Sequence, residues 1–309
     1  MRLVANTIFC LAFLFDNVVS QDDAGKDLGD GDLKIIGGQY ASKGEFPYTV
    51  ALKSHARCGG TLVKLDAIIT AASCFYNGDQ KVEASTVTVI AGALSIADPK
   101  ETGYQESKLA RFKTHEKYTG KGSGHDIAIG ALEKAFVQSA NVKTAVYASS
   151  KPEGLKDALY TIIEEDTSCV GLGWGNTGAF VSDEVSGGAE SLKMVEMRVL
   201  PQRECRTAPG MEANEVCIAT RRSADKGITD GDAGTTFACQ GKFFGLNKGP
   251  SKYKIDQKEY EGAIVTVIWP YVNYFGLELN VATSYLHEHT FNLVLFSFIF
   301  VTTINRVIH

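Results

Sequence analysis

"IIGGQYASKGEFPYTVAL", residues 35–52, starts where the character of the chain changes. Residues 21–34 before it, "QDDAGKDLGDGDLK", are rich in Asp and Gly and nearly free of apolar groups. They bury too little surface to order themselves and read as a flexible acidic arm. At Lys34–Ile35 the sequence turns apolar and β-prone, which places a domain boundary there. Farther upstream, Arg2 precedes the apolar run "LVANTIFCLAFLF" and a small residue at a plausible cut, Ser20. That is the order of parts in a secretory signal, so residues 1–20 are excluded from fold reasoning.

Downstream, "PYTVAL" is the first of a series of short β-prone runs. "AIITAA", "STVTVIAGAL", "HDIAIGAL", "YTIIEE", "CVGLGW", "KMVEMRVL" and "AIVTVIW" follow, separated by Gly, Asn, Asp and Lys. Many short strands with turn signals between them favour an all-β sandwich or barrel over a parallel α/β sheet. "PYVNYFGLELNVATSYL" is compatible with a closing helix. Residues 290–304, "TFNLVLFSFIFVTTI", are almost wholly apolar, but short for a helix that spans a bilayer.

Of 309 residues, 44% are hydrophobic and 22% charged, an ordinary globular composition. The net charge of −5 comes largely from the arm and signal; residues 35–309 keep 28 basic and 30 acidic side chains, a net −2. A near-neutral body gives no reason to expect nucleic acid or an anionic membrane as partner. Once Cys10 leaves with the signal, six of the seven cysteines remain, an even number in an exported chain. That suggests disulfides, with 15 connectivities open to six cysteines. No C-x-x-C pair suggests a zinc site and no N-x-S/T sequon is present. Neither a cofactor nor a metal is expected.

The landmarks, in order, resemble the chymotrypsin-like (trypsin-like) serine proteases. "IIGGQYASKGEFPYTVAL" resembles their mature N-terminus and "CGGTLVKLDAIITAASC" the strand pair leading to the catalytic-histidine loop. "GHDIAIGAL" resembles the aspartate segment, "CVGLGWG" and "DGDAG" two later signatures, and "GAIVTVIWPYVNYF" the last strand and closing helix. The resemblance covers residue 35 to about 280, and the ordered set is far more specific than any one motif. It implies two antiparallel six-stranded β-barrels with a C-terminal helix. A hydrophobic extension over 281–309 follows. It implies the disulfides Cys58–Cys74, Cys169–Cys239 and Cys205–Cys217. Thr229 stands at one cysteine position of a further family pair, and no partner cysteine follows Cys239.

Carried over residue by residue, the resemblance puts the catalytic triad at Ser73, Asp126 and Ala233. Family hydrolysis needs a hydroxyl to attack, an imidazole to shuttle its proton and a carboxylate to orient the imidazole. Ala233 has no oxygen and Ser73 has no useful basicity near neutral pH. Only Asp126 remains, with the Ser73 hydroxyl expected to bond to it. His125, next to Asp126, and His115 in "THEKY" are expected to be surface or loop residues, because neighbours on an extended chain face opposite ways. The primary pocket is expected at Gly227 and Ile264, without the fixed aspartate of trypsin-like members. The strand that pairs with bound peptide, usually serine-tryptophan-glycine, is replaced within "LNKGPSKYK". Two family glycines and a proline become Gly234, Thr235 and Thr236.

The activation apparatus reads as intact. Lys34–Ile35 is a bond that a trypsin-like enzyme cuts, and Asp232 stands where the family's aspartate receives the freed ammonium. The favoured expectation is a secreted, inactive protease homologue that binds extracellular proteins, such as proteases or inhibitors of a cascade. One alternative is an active endopeptidase with an unrecognised nucleophile. Another is a cell-surface binding protein, since "NVA", the spacer "TSYLHEHT" and the apolar tail resemble a lipid-anchor signal, which Arg306 and His309 weaken.

Overall fold

The computed structural model describes residues 38–120, 122–175, 191–205, 214–220, 227–255 and 258–281. The signal, the acidic arm with Lys34 and Ile35, and the tail from 282 onward lie outside the described residues.

Six strands form the first barrel: β1 (Thr49–Lys53), β2 (Arg57–Lys64), β3 (Ala67–Thr70), β4 (Thr88–Ala91), β5 (Gln105–Thr114) and β6 (Ala128–Leu132). All pairings are antiparallel and the sheet closes in the order β1-β2-β3-β6-β5-β4. The second barrel holds β7 (Cys169–Gly173), β8 (Lys193–Val199), β9 (Glu215–Thr220), β10 (Thr236–Cys239), β11 (Lys242–Ile255) and β12 (Lys258–Val267). Its order is β7-β8-β9-β12-β11-β10, so both barrels follow one cyclic plan. The short strand Gln39–Tyr40 adds to the edge of β8. Beyond Leu246, β11 pairs with β12 alone among the described strands, from Gly249 to Ile255.

Each barrel fills with the inward side chains of alternating strands. Val50, Leu52, Leu62, Ile68, Val89 and Leu109 share the first core. Val195, Met197, Ile218, Phe237, Phe244 and Val265 share the second. The three described disulfides are Cys58–Cys74, Cys169–Cys239 and Cys205–Cys217, the pairs that the resemblance implied. Each can contribute about 2–4 kcal/mol by restricting the unfolded chain.

Two expectations about local structure change. "YTIIEE", residues 160–165, is not a strand. It supplies the end of helix α1, Pro152–Glu164. Pro152 suits the first helical turn, where its missing N–H has no partner to lose. Leu155, Leu159 and Ile162 recur at helical spacing and are the buried face. Asp166 takes a left-handed conformation, φ 49°, just after the helix ends. The six-residue run looked strand-like because its period shows only over the whole helix. The closing helix is also shorter than "PYVNYFGLELNVATSYL". It is one turn, Val272–Phe275, ended by Gly276 at φ 61°. Among the described residues no helix is long and apolar enough to cross a membrane.

Helix α1 packs Leu159 and Ile162 onto the second-barrel core. Leu159→Ala is expected to destabilise the protein by about 2–5 kcal/mol through the cavity it leaves. Urea denaturation followed by far-UV circular dichroism measures this.

Candidate functional site

Ser73 sits in a single 3-10 turn, Ala72–Phe75, directly after β3, and Asp126 precedes β6. The pairing of β3 with β6 brings the two together. The Ser73 backbone N–H donates to Asp126 Oδ1 at 2.7 Å, and its hydroxyl donates to Oδ2 at 2.9 Å. Both carboxylate oxygens are thus engaged by one residue. Asp126 is buried, and burial holds its carboxyl above the usual carboxylate range, against the two Ser73 bonds and the attraction of Lys248.

His125 does not approach this pair as a substitute base. It has φ 58°, so left-handed backbone, rather than strand alternation, directs its ring elsewhere. Its Nδ1 lies 3.0 Å from the Tyr271 hydroxyl, which also accepts a bond from the Asn214 amide. His115, expected to be exposed, is buried at 8% exposure. Its ring stacks on His125, centroids 4.5 Å apart and planes 9° apart, with Tyr274 at 4.3 Å. Burial, then the neighbouring His125, lowers the His115 pKa. "THEKY" looked solvated because the aromatic side chains that cover it come from residues 271–275, far away in sequence.

Ala233 lies in the loop that enters β10. Its carbonyl accepts the Gly59 N–H at 2.9 Å, and its methyl packs against the first-barrel core. Gly234, at φ 76°, donates its N–H to Asn247 O at 2.7 Å. A Cβ there would stand 2.3 Å from Thr70 Oγ1, so only glycine fits. Thr235 donates to Asp232 O at 2.7 Å and accepts from the Asn247 amide at 2.8 Å. The Thr236 hydroxyl meets those of Thr61 at 2.8 Å and Thr49 at 3.2 Å.

Asp232 is fully buried. Its carboxylate accepts the N–H groups of Gly175 at 2.6 Å and Thr229 at 2.9 Å, and the Thr229 hydroxyl at 3.2 Å. A Cβ on Gly173 or Gly175 would come within 1.8 or 2.4 Å of this carboxylate, so the glycines of "CVGLGWG" make its room. Among the described residues its hydrogen-bond donors include no cation. Burial pushes its pKa up to about 7, against these hydrogen bonds.

Gly227 is buried, and a Cβ on it would lie 3.2 Å from the Glu261 Cβ. Ile264, on β12, is half-buried opposite Cys217 and Gly249. Beside these, Lys248 Nζ of β11 pairs with Glu215 Oε1 of β9 at 2.7 Å, the side chains 10% and 0% exposed. Neither residue had been singled out as a site residue. The signal was present: one lysine in "FFGLNKG" and one glutamate in "NEVCIAT", each charged within an otherwise apolar or neutral run. Among the described residues no group of three metal-ligating side chains converges.

Removing Lys248 takes a counter-ion from a fully buried carboxylate. Lys248→Met alone is expected to cost about 3–5 kcal/mol, and Lys248→Met with Glu215→Met to recover most of it. Chemical denaturation of the two variants and the parent gives both numbers.

The trypsin family's sequence profile matches residues 35–273. The chain is 31% identical to serine protease SP24D of Anopheles gambiae over 206 residues, 65% of this chain and 66% of that protein. It is 29% identical to human azurocidin over 220 residues, 69% of this chain and 76% of that protein. With human trypsin-3 it shares 27% over 219 residues, 70% of this chain and 64% of that protein. Profile, barrel plan and disulfides agree, and the chain belongs to the trypsin family.

Proposed function

We propose that this chain is a secreted trypsin-family protein that does not hydrolyse peptides and acts by binding extracellular protein, as a cascade cofactor or as a decoy for proteases or inhibitors. The observation that carries the reading is the Ser73–Asp126 contact. At the position of the general base, a hydroxyl spends its proton on the carboxylate that would orient an imidazole. The nucleophile position, Ala233, offers a methyl. The Lys248–Glu215 pair supports the same reading, since it puts charge where the family's peptide-pairing strand carries tryptophan. Even a related triad stripped of its parts keeps only about 10³–10⁴-fold acceleration over water, from backbone donors and binding.

Purified protein incubated with a peptide panel and a fluorophosphonate probe is expected to show neither turnover nor labelling. Ala233→Ser is expected to stay within about tenfold of the parent, because nucleophile and base act as a unit. Stoichiometric labelling of the parent, lost on mutation of one serine, would establish an unrecognised nucleophile instead.

Maturation belongs to the same proposal: cleavage at Lys34–Ile35 frees an ammonium that pairs with Asp232 and orders the loops around it. In the uncut chain, folded Asp232 keeps its proton up to about pH 7, whereas an unfolded aspartate loses it near about pH 3.9. Between those values the folded state binds more protons, so this residue's contribution to stability falls as pH rises from about 4 to about 7. Pairing with the Ile35 ammonium lowers the folded pKa and abolishes the decline. Urea midpoints across this range are expected to show a downward slope in the uncut protein that Asp232→Asn removes and cleavage suppresses.

A further inference from the structure

We propose that a concavity on the outer face of the first barrel, remote in its lining from Ser73, Asp126 and Ala233, binds a small amphipathic anion: one carboxylate or phosphate head on an apolar body. The cavity has a volume of about 300 Å³, at the lower end of the range for small-molecule sites.

Strand pairing builds it. Ala67, Ala131 and Arg111 stand side by side across β3, β6 and β5, and Ile69, Ile129 and Lys113 form the next row. Two methyl side chains next to larger neighbours leave a depression in the sheet surface. Val63 and Leu277 add apolar lining, and the chain leaving the closing helix forms one wall. The floor is therefore suited to a hydrocarbon chain or a ring.

The rim sets the sign. Five charged side chains line the cavity: Lys64, Arg111, Lys113, Asp66 and Glu278. Lys64 is taken up by Glu278 at 2.7 Å. Lys113 holds its ammonium 4.1 Å from the Tyr274 ring centroid, an arrangement that leaves its charge uncancelled. The Arg111 guanidinium is exposed and has no hydrogen-bond or ion-pair partner among the described residues. With Asp66 counted, the rim carries one net positive charge. A planar guanidinium with open donors, next to a small-residue floor, matches a carboxylate or phosphate with two parallel N–H···O bonds.

Isothermal titration of the full chain with octanoate, octyl phosphate, octylammonium and octanol tests the assignment. Saturable one-to-one binding of octanoate or octyl phosphate is expected, and the stronger of the two identifies the head. Octylammonium is expected not to bind, and octanol to bind at least about tenfold more weakly than the anion. Arg111→Ala is expected to weaken the anion by at least about tenfold, and Ala131→Phe, which fills the depression, to abolish binding while the thermal transition persists. Absence of saturable anion binding overturns the proposal. So does equal affinity for octanol, or an Arg111→Ala variant that binds like the parent.

Discussion

Between the two barrels, beside apolar clusters that both share, one loop fits against one glycine. A side chain on Gly59 would begin 2.2 Å from Thr235 Cγ2, so β2 and the entry to β10 approach as closely as backbones can. That contact lets the Gly59 N–H reach the Ala233 carbonyl and lets Thr236 place its hydroxyl between those of Thr61 and Thr49. The seam is polar and buried, and the Thr236 hydroxyl meets the other two and also Gly60 O at 3.4 Å. Such a seam is costly when half made, so it fixes one geometry between the barrels. Ala233 and Asp232 reach it from the second barrel, and Ser73 and Asp126 lie in the first.

Within that frame several polar groups of the cleft bond to one another. Asp126 is occupied by Ser73, Asn247 by Thr235, and Glu215 by Lys248. Burial raises the Asp126 pKa; the Ser73 bonds and the Lys248 ammonium oppose that rise, and Glu215 adds to it. Asn247 Oδ1, by contrast, is buried without a hydrogen-bond partner among the described residues.

The barrels were legible because strands announce themselves locally. Seven of the eight β-prone runs contain a strand, and the cysteines that the resemblance paired are bonded. The polar strand β5, "QESKLARFKT", was missed because one of its faces is solvated and its apolar positions are few. Helix α1 was missed for the opposite reason: its last turn is dense in Thr and Ile, and only Leu155, Leu159 and Ile162 together show the helical period. The Ser73–Asp126 contact could be anticipated from the two positions alone. The Lys248–Glu215 pair could not, because it joins strands about thirty residues apart, and nothing local says that both side chains turn inward.

Asp232, Ala233 and Ser73 differ in how tightly the fold ties each of them. Asp232 needs Gly173 and Gly175 to be bare of side chains and needs Thr229 as a donor, so it is tied to three separate positions. Changing it would open a cavity and orphan buried N–H groups in the wall of the second barrel. The nucleophile position has no such ties: the alanine methyl packs against the first core, and the backbone bond from Gly59 does not depend on the side chain. The base position is intermediate, because Asp126 is buried and requires a donor, and a serine hydroxyl with its own N–H meets that requirement at 2.9 and 2.7 Å. Asp126 and Asp232 are each met by donors, and the Ala233 methyl packs against the first core, so these residues fit the fold that surrounds them.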